Sequence, residues 1–445
     1  MPPVLPLPLK EALTEKLAES LAAALPAMTP RRVYGASGLP GKATAVVGMR
    51  RAGKTTFLHQ LRQERLTQGT VREQLPYLNF EDERLAGLEA TQLGFLLDEF
   101  ARRVPDAHER GKVVWCFDEI QVVPGWERFV RRLLDTGTSE VVVTGSSAAL
   151  LSREIATALR GRAWEIPLYP FSFAETLRHH GEKIPADPVF LTGTERARLE
   201  RAFLDWLAIG GFPEAQGLDE ASRRRLLQGY VDVAMLRDVV ERHGVSNVTG
   251  LRWLVRHLLG NAAGTFTVEK FYAALKSQGI AISKDTVHQL LAHLEDCFLV
   301  RTVWMESASE RQRMVNPRKT YPIDPGLIPL FDRSGRGNLG HALETAVLIE
   351  LERRRCAVTY VRTPAGHEVD FLARDANGNE ELIQVCTDAS DPGTAERELR
   401  ALAEAGEVYP QARKHLLTLT RDGAPAEIPP EVTVQPAYTW MLAEP

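Results

Sequence analysis

Between residues 42 and 170, short apolar runs rich in β-branched residues alternate with amphipathic stretches of helical period. The runs are TAVVG, LPYLNF, VVWCF, EVVVTG and AWEIPLY, each followed by turn or helix signals. Continuous apolar runs separated by helices predict a parallel sheet covered by helices on its faces. Upstream, residues 9–25 carry helical spacing that ends at Pro26, and residues 190–260 show helical periodicity without a strand signal. Residues 265–325 read helix, turn, helix, hairpin. VEKFYAALKSQ is the first helix, GIAIS the turn, and KDTVHQLLAHLED the second helix with Ser283 as N-cap. CFLVRTVW and the segment around RKTYPI form the hairpin, a wing. After the glycine-rich SGRGNLG, a helix from His341 to about Arg355 leads into mixed strands, among them the hairpin pattern HEVDFLARDANGNEELIQVC over residues 367–386.

Length and charge narrow the picture. A chain of 445 residues exceeds one ordinary core and suits about three modules. A net charge of −4 provides no global basic field, so any nucleic-acid contact has to come from a local patch. Cys116, Cys297, Cys356 and Cys386 are scattered without a CxxC pair, which argues against a structural zinc site and a disulfide scaffold and for a reducing, cytoplasmic setting. The start lacks a basic n-region, and no run approaches the ~20 apolar residues of a membrane span. The expectation is a protein with no membrane partner.

The chemistry begins at GMRRAGKTT, which satisfies G-x-x-x-x-G-K-[ST] with Gly48, Gly53, Lys54 and Thr55, followed by Thr56. It follows an apolar strand and precedes FLHQLRQERL, a good helix. Backbone N–H groups and a helix N-terminus then hold phosphate together. Lys54 is assigned to the β- and γ-phosphates of ATP and Thr55 to Mg²⁺. VVWCFDEIQ ends a buried strand in two acids. Asp118 is assigned to the Mg²⁺ shell and Glu119 to polarising the attacking water. EVVVTGSSAALL ends in Thr144, Ser146 and Ser147, with Ser146 favoured as a γ-phosphate sensor and a helix cap as the plainer reading. Asn79, at the end of LPYLNFED, either holds the catalytic glutamate in an inactive pose or is a turn asparagine.

GMRRAGKTTFL, YLNFEDERL, VVWCFDEIQ with GWERFVRRLLD, VVVTGSSAALLS, LRGRAWEIPLYPFSFAE, GGFPEA and LRDVVERHG occur in one order. From about residue 30 to 390 the chain resembles the AAA-type ATPases of bacteria and archaea that carry a C-terminal domain of unknown function. The resemblance implies an α/β fold with a P-loop AAA+ core, a helical lid, a winged helix and a C-terminal domain like a restriction endonuclease. The corresponding boundaries are an N-terminal helical segment over 1–30, the core over 31–180, the lid over 181–260, the winged helix over 261–332 and the nuclease-like domain over 333–445. It also implies a homo-oligomeric ring, a hexamer among the options. Arg162 then stands at the arginine-finger position with Arg160 as rival, and Arg237 is a candidate second sensor.

The second helix of the winged-helix pattern offers Lys284, Asp285, His288, Gln289 and His293 with acids at its end, a poor set for gripping DNA. The wing is better supplied. Arg311, Arg313, Arg318 and Lys319 form a cluster suited to phosphate backbone, or simply a solvated basic hairpin. In a PD-(D/E)xK nuclease a helix glutamate, a strand aspartate and an acid two residues before a lysine bind metal and activate water. Glu344 matches the helix acid, and Glu368 and Asp370 share one strand face. Gln384 and Cys386 stand where acid and lysine belong, so cleavage is not expected. The sequence therefore points to an ATP-driven ring motor or remodeller acting on DNA, with a silenced nuclease-like domain. The alternatives are a nucleotide-switched signalling or defence ATPase that binds a protein partner, and an ATP-regulated nuclease.

Overall fold

Each apolar run of the N-terminal part forms a strand, and the three central ones, Ala43–Val47, Val113–Asp118 and Ser139–Gly145, are buried on both faces, as a sheet between helices requires. The computed structural model describes residues 5–36, 38–107, 109–145, 159, 161–332 and 338–443. The chain divides into two units, Met1–Leu168 and Tyr169–Pro445. In the first, five strands are found among the described residues: β1 (Ala43–Val47), β2 (Tyr77–Asn79), β3 (Val113–Asp118), β4 (Ser139–Gly145) and β5 (Ala163–Pro167). They run parallel in the order β2-β3-β4-β1-β5.

Among the described residues four helices accompany this sheet: α1 (Leu7–Ala22), α2 (Lys54–Thr67), α3 (Gly94–Arg103) and α4 (Trp126–Asp135). Phe57 and Leu58 of α2 pack on Val46, Cys116, Val142 and Ile166, one residue from each of four strands. Full burial of a Val, Leu, Ile or Phe side chain stabilises by roughly 1.5–3 kcal/mol. On α1, Ser20 Oγ accepts the Tyr77 N–H at 2.6 Å, which satisfies a donor on the edge strand β2. The register sets Asn79 beside Asp118 and Thr144 beside Val46. Because the strands share one direction, their polar terminal residues emerge at a single carboxyl edge, where ligands of open α/β sheets bind.

The second unit starts with α5 (Phe173–His179), α6 (Gly193–Ile209), α7 (Glu220–Val233), a π-helical segment Ala234–Glu241 and α8 (Val248–Gly260). The short strand β6 (Thr265–Phe266) precedes α9 (Val268–Ser277) and α10 (Lys284–Asp296). Ser283 caps α10, its Oγ accepting the Thr286 N–H at 3.0 Å. β7 (Val300–Met305) and β8 (Arg318–Pro322) pair antiparallel, with α11 (Glu310–Val315) between them where the sequence reading has a plain hairpin. Then come α12 (Leu339–Arg353), β9 (Ala357–Arg362), β10 (Glu368–Arg374), β11 (Glu380–Cys386), α13 (Pro392–Val408), β12 (Arg413–Thr418), β13 (Val432–Pro436) and α14 (Ala437–Leu442).

Among the described residues these eight strands make one sheet of order β13-β12-β11-β10-β9-β7-β8-β6. β7 and β9 pair in parallel, Trp304 beside Thr359 and Met305 beside Tyr360, so the strands before and after residue 332 belong to one hydrogen-bonded layer. Leu343, Val347 and Leu351 of α12 pack with Phe371, Ile383 and Leu417 in one core, which fixes the helix carrying Glu344 over β10 and β11.

Candidate functional site

The loop between β1 and α2 is shaped by backbone that few residues tolerate. Arg51 and Gly53 adopt left-handed conformations at φ 67° and 98°, which curl the chain directly into the first turn of α2. A Cβ on Gly48 would lie 2.1 Å from the Leu168 carbonyl oxygen, so only glycine fits where the loop leaves β1. Lys54 is buried and its Nζ donates to the carbonyls of Gly48 at 3.1 Å and Met49 at 3.2 Å. The same nitrogen lies 3.8 Å from Glu119 Oε1. Thr56 follows on the exposed side of α2.

Asp118 ends β3 and receives three hydroxyl donors. Thr55 Oγ1 reaches its Oδ2 at 2.8 Å, Tyr77 Oη reaches the same oxygen at 2.9 Å, and Thr144 Oγ1 reaches Oδ1 at 2.5 Å. Thr144 Oγ1 also accepts the Glu119 N–H at 2.9 Å, so one β4 hydroxyl orients both acids. Burial and the adjacent Asp118 charge raise the Tyr77 phenol and keep it a donor. Glu119 takes a left-handed backbone at φ 52° directly after the strand ends. Its carboxyl is raised by burial, with Lys54 opposing the shift. Gln121 Nε2 donates to Glu119 Oε2. The hydroxyl and carboxylate of Thr55 and Asp118 are hard oxygen donors that meet directly, a set that fits Mg²⁺.

The other sequence-assigned residues are dispersed. Asn79 Oδ1 accepts the Glu81 N–H at 2.8 Å, the geometry of a turn asparagine; Gln121 is the amide that touches Glu119. Ser146, Ser147 and Arg160 lie outside the described residues. Arg162 is exposed and pairs with Asp135 at the end of α4. It precedes β5 at the sheet edge opposite the phosphate loop, since Ala163 aligns with Ala43 and Pro167 with Val47. Arg237 is exposed on the π-helical segment. Arg311 and Arg313 lie on α11, and the Arg318 guanidinium stacks 3.5 Å from the Trp304 ring centre.

Lys319 departs from its sequence assignment to a DNA-gripping wing. Alternation along β8 sends Arg318 outward and Lys319 inward, where it is 3% exposed. Its Nζ lies 2.9 Å from Glu344 Oε1, 2.8 Å from Glu368 Oε1 and 2.8 Å from Asp370 Oδ1. A buried ammonium held by three carboxylates is unavailable to a phosphate backbone. Tyr321, two residues on and on the same strand face, donates to Glu344 Oε1 at 2.7 Å. Burial, with the Asp370 charge adding to it, raises Glu344 to about 7. Gln384 Oε1 accepts the Asp370 N–H at 3.2 Å and its Nε2 donates to Glu398 at 2.6 Å; Cys386 Sγ turns to the Asp388 carbonyl.

The AAA domain family matches residues 40–177, and a domain of unknown function, DUF8612, matches residues 200–334. The uncharacterized protein MJ1544 of Methanocaldococcus jannaschii is 33% identical over 372 residues, covering 82% of this chain and 79% of its own. The chain belongs to this AAA-domain family. An uncharacterized protein of Haemophilus influenzae is 30% identical to the AAA-domain protein over 333 residues, covering 75% of this chain and 79% of its own. Among solved structures, the AAA-domain protein is similar to the Walker-type ATPase PABY2304 of Pyrococcus abyssi, at 17% identity and a TM-score of 0.40 over 72% of this chain and 95% of that one. It is also similar to the ORC2 protein of Aeropyrum pernix, at 14% identity and a TM-score of 0.35 over 74% and 94%. No helix among the described residues is long and apolar enough to cross a membrane.

Three residues of the two sites carry no sequence assignment: Tyr77, Gln121 and Tyr321. Tyr77 reaches Asp118 only because β2 pairs with β3. Gln121 was legible in principle, two residues after Glu119 in a short turn. Tyr321 was legible through Lys319, since strand neighbours two apart share a face.

Proposed function

We propose that this AAA-domain protein binds ATP with Mg²⁺, hydrolyses it to ADP and phosphate, and works as a homo-oligomeric ring acting on DNA. The observation that carries the reading is the meeting of Lys54, Thr55, Asp118 and Glu119 at one sheet edge, with Thr55 and Asp118 2.8 Å apart. Lys54 rests on two neutral carbonyls, which an anionic phosphate outcompetes as a partner for ammonium. Thr55 and Asp118 would hold Mg²⁺, which supplies neutralisation of the charge on the β- and γ-phosphate oxygens. Glu119, raised by burial, sits closer to the working pH of a general base and takes the proton of the attacking water. Gln121 holds that carboxylate until ATP is in place.

Arg162 stands five residues before the strand end that meets the phosphate loop, about 16 Å along an extended strand. It serves a neighbour's site and not its own, which is why a ring is proposed. Contact with DNA is assigned to Arg311, Arg313 and Arg318, which grip phosphates without reading bases. The C-terminal strands act as a non-cleaving part, because Gln384 and Cys386 supply neither the acid nor the ammonium of the nuclease pattern.

The deciding measurement is ATP turnover with and without single-stranded, duplex and junction DNA, over a range of salt. Stimulation that weakens with salt is expected. Turnover indifferent to every DNA removes the DNA assignment, and absence of ATP binding removes the whole reading. Met314 and Val315, 70% and 74% exposed on α11, support a second reading in which that segment docks a protein partner and nucleotide state acts as a switch. DNA-indifferent turnover that responds to a purified partner favours it.

A further inference from the structure

The cluster around Lys319 has no place in ATP turnover, yet it gathers one lysine and three acids, with the lysine buried. A lysine ammonium has three hydrogens. Here three carboxylate oxygens surround it at 2.8–2.9 Å: Glu344 of α12 and Asp370 of β10 accept hydrogen bonds from it, and Glu368 of β10 pairs with it as an ion. The acids have little left to offer. Glu344 Oε1 also takes the Tyr321 hydroxyl, and Asp370 Oδ2 takes the Val385 N–H at 3.0 Å. Glu368 is the most exposed of the three, at 37% of its side chain.

Three acids against one lysine leave the cluster short of positive charge. The ammonium nevertheless occupies the point at which the three carboxylates converge. Among the described residues no group of three or more His, Cys, Asp or Glu is set to hold a metal ion. A divalent ion on these oxygens would need them at about 2.0–2.6 Å, so it would have to stand where the nitrogen stands. Expelling the ammonium would leave it buried without its partners, which is strongly unfavourable.

We propose that Glu344, Glu368 and Asp370 form a latent divalent-cation site that Lys319 closes from β8, its ammonium acting as a built-in cation. The lysine that Cys386 fails to supply is thus present in space, but it stands in the metal's place and not beside it. Strand β8 belongs to the segment matched by the DUF8612 family, so the plug comes from a different part of the chain than the acids it closes. The inference rests on the reading of these strands as non-cleaving.

The test counts Mn²⁺ bound to the full-length, nucleotide-free protein, from the free-ion paramagnetic resonance signal. Lys319→Ala is expected to bind one more Mn²⁺ per chain than the wild type, with that added ion weakened at least tenfold in Lys319→Ala/Glu368→Gln. In the wild-type background Glu368→Gln is expected to leave the count unchanged. A folded Lys319→Ala that gains no ion overturns the proposal, as does loss of one ion in the single Glu368→Gln variant. The second comparison decides alone if Lys319→Ala does not fold. A parallel assay with Mn²⁺ and plasmid DNA separates the two readings. Wild-type cleavage lost in Asp370→Asn defeats the non-cleaving assignment as well, whereas wild-type Mn²⁺ at this site without cleavage defeats only the closed site.

Discussion

Each unit of this protein brings a buried lysine to acids at the end of a strand, yet the two lysines are prepared for opposite ends. Lys54 leans on two backbone carbonyls and stands 3.8 Å from the nearest carboxylate, so its charge is only partly answered. Lys319 has three carboxylates at 2.8–2.9 Å, two of them hydrogen-bonded to it, so its charge is fully answered. The first can turn to an arriving phosphate at small cost. The second cannot leave without stranding several buried charges. What separates a site held ready from one that is closed is how completely its cation is already paired, and residue types alone do not reveal it.

The largest effect that tests this contrast lies at the open site. Glu119→Gln is expected to retain ATP while turnover falls about 10²–10⁴-fold, the usual range for losing a general base. Single-turnover phosphate release beside equilibrium ATP binding checks it, and near-normal turnover would remove Glu119 from the chemistry. Lys319→Met should cost about 3–5 kcal/mol in chemical denaturation, as breaking a buried ion cluster does. Lys54→Met should cost about 1 kcal/mol of stability, because its partners are mainly neutral carbonyls, while nucleotide binding is lost. Equal stability losses at the two positions would dissolve the comparison.

Smaller changes sharpen it. Tyr77→Phe removes one of three hydroxyl donors to Asp118 and should raise the Mg²⁺ concentration for half-maximal turnover by about tenfold, the worth of one hydrogen bond to a charge. An unchanged Mg²⁺ requirement would leave Tyr77 as packing only. The smallest effect is in pH dependence. Glu344 keeps its proton up to about 7 in the fold, against 4.5 for an ordinary glutamate, so the folded state binds a proton that the unfolded chain has released between those values. Its contribution to stability therefore declines as pH rises from about 4.5 to about 7. Glu344→Gln should flatten that part of the curve, measured by denaturation at a series of pH values.

The sequence disclosed these two sites unequally for a physical reason. The phosphate loop is local: Gly48, Gly53, Lys54 and Thr55 lie within eight consecutive residues, and the strand before and helix after are visible in the same window. The five apolar runs and the two helices before the wing became elements for the same reason, since short-range periodicity dictates them. Tyr77 and Asp118 are 41 residues apart and meet only through the pairing of β2 with β3. Lys319 was misplaced because basic residues close in sequence read as a basic surface, although alternation along β8 sends neighbours to opposite faces. Its partners lie 25, 49 and 51 residues away, on elements whose adjacency no local pattern encodes.

The pairing of β7 with β9 has a practical consequence for anyone dividing this protein. A chain stopped near residue 333 would keep the whole winged-helix pattern and lose the strand that covers the flank of β7. Its bare N–H and C=O groups would then invite a second molecule, the route by which exposed strand margins seed aggregates. Solubility of such a fragment is thus governed by a missing neighbour and not by any fault in the fragment itself.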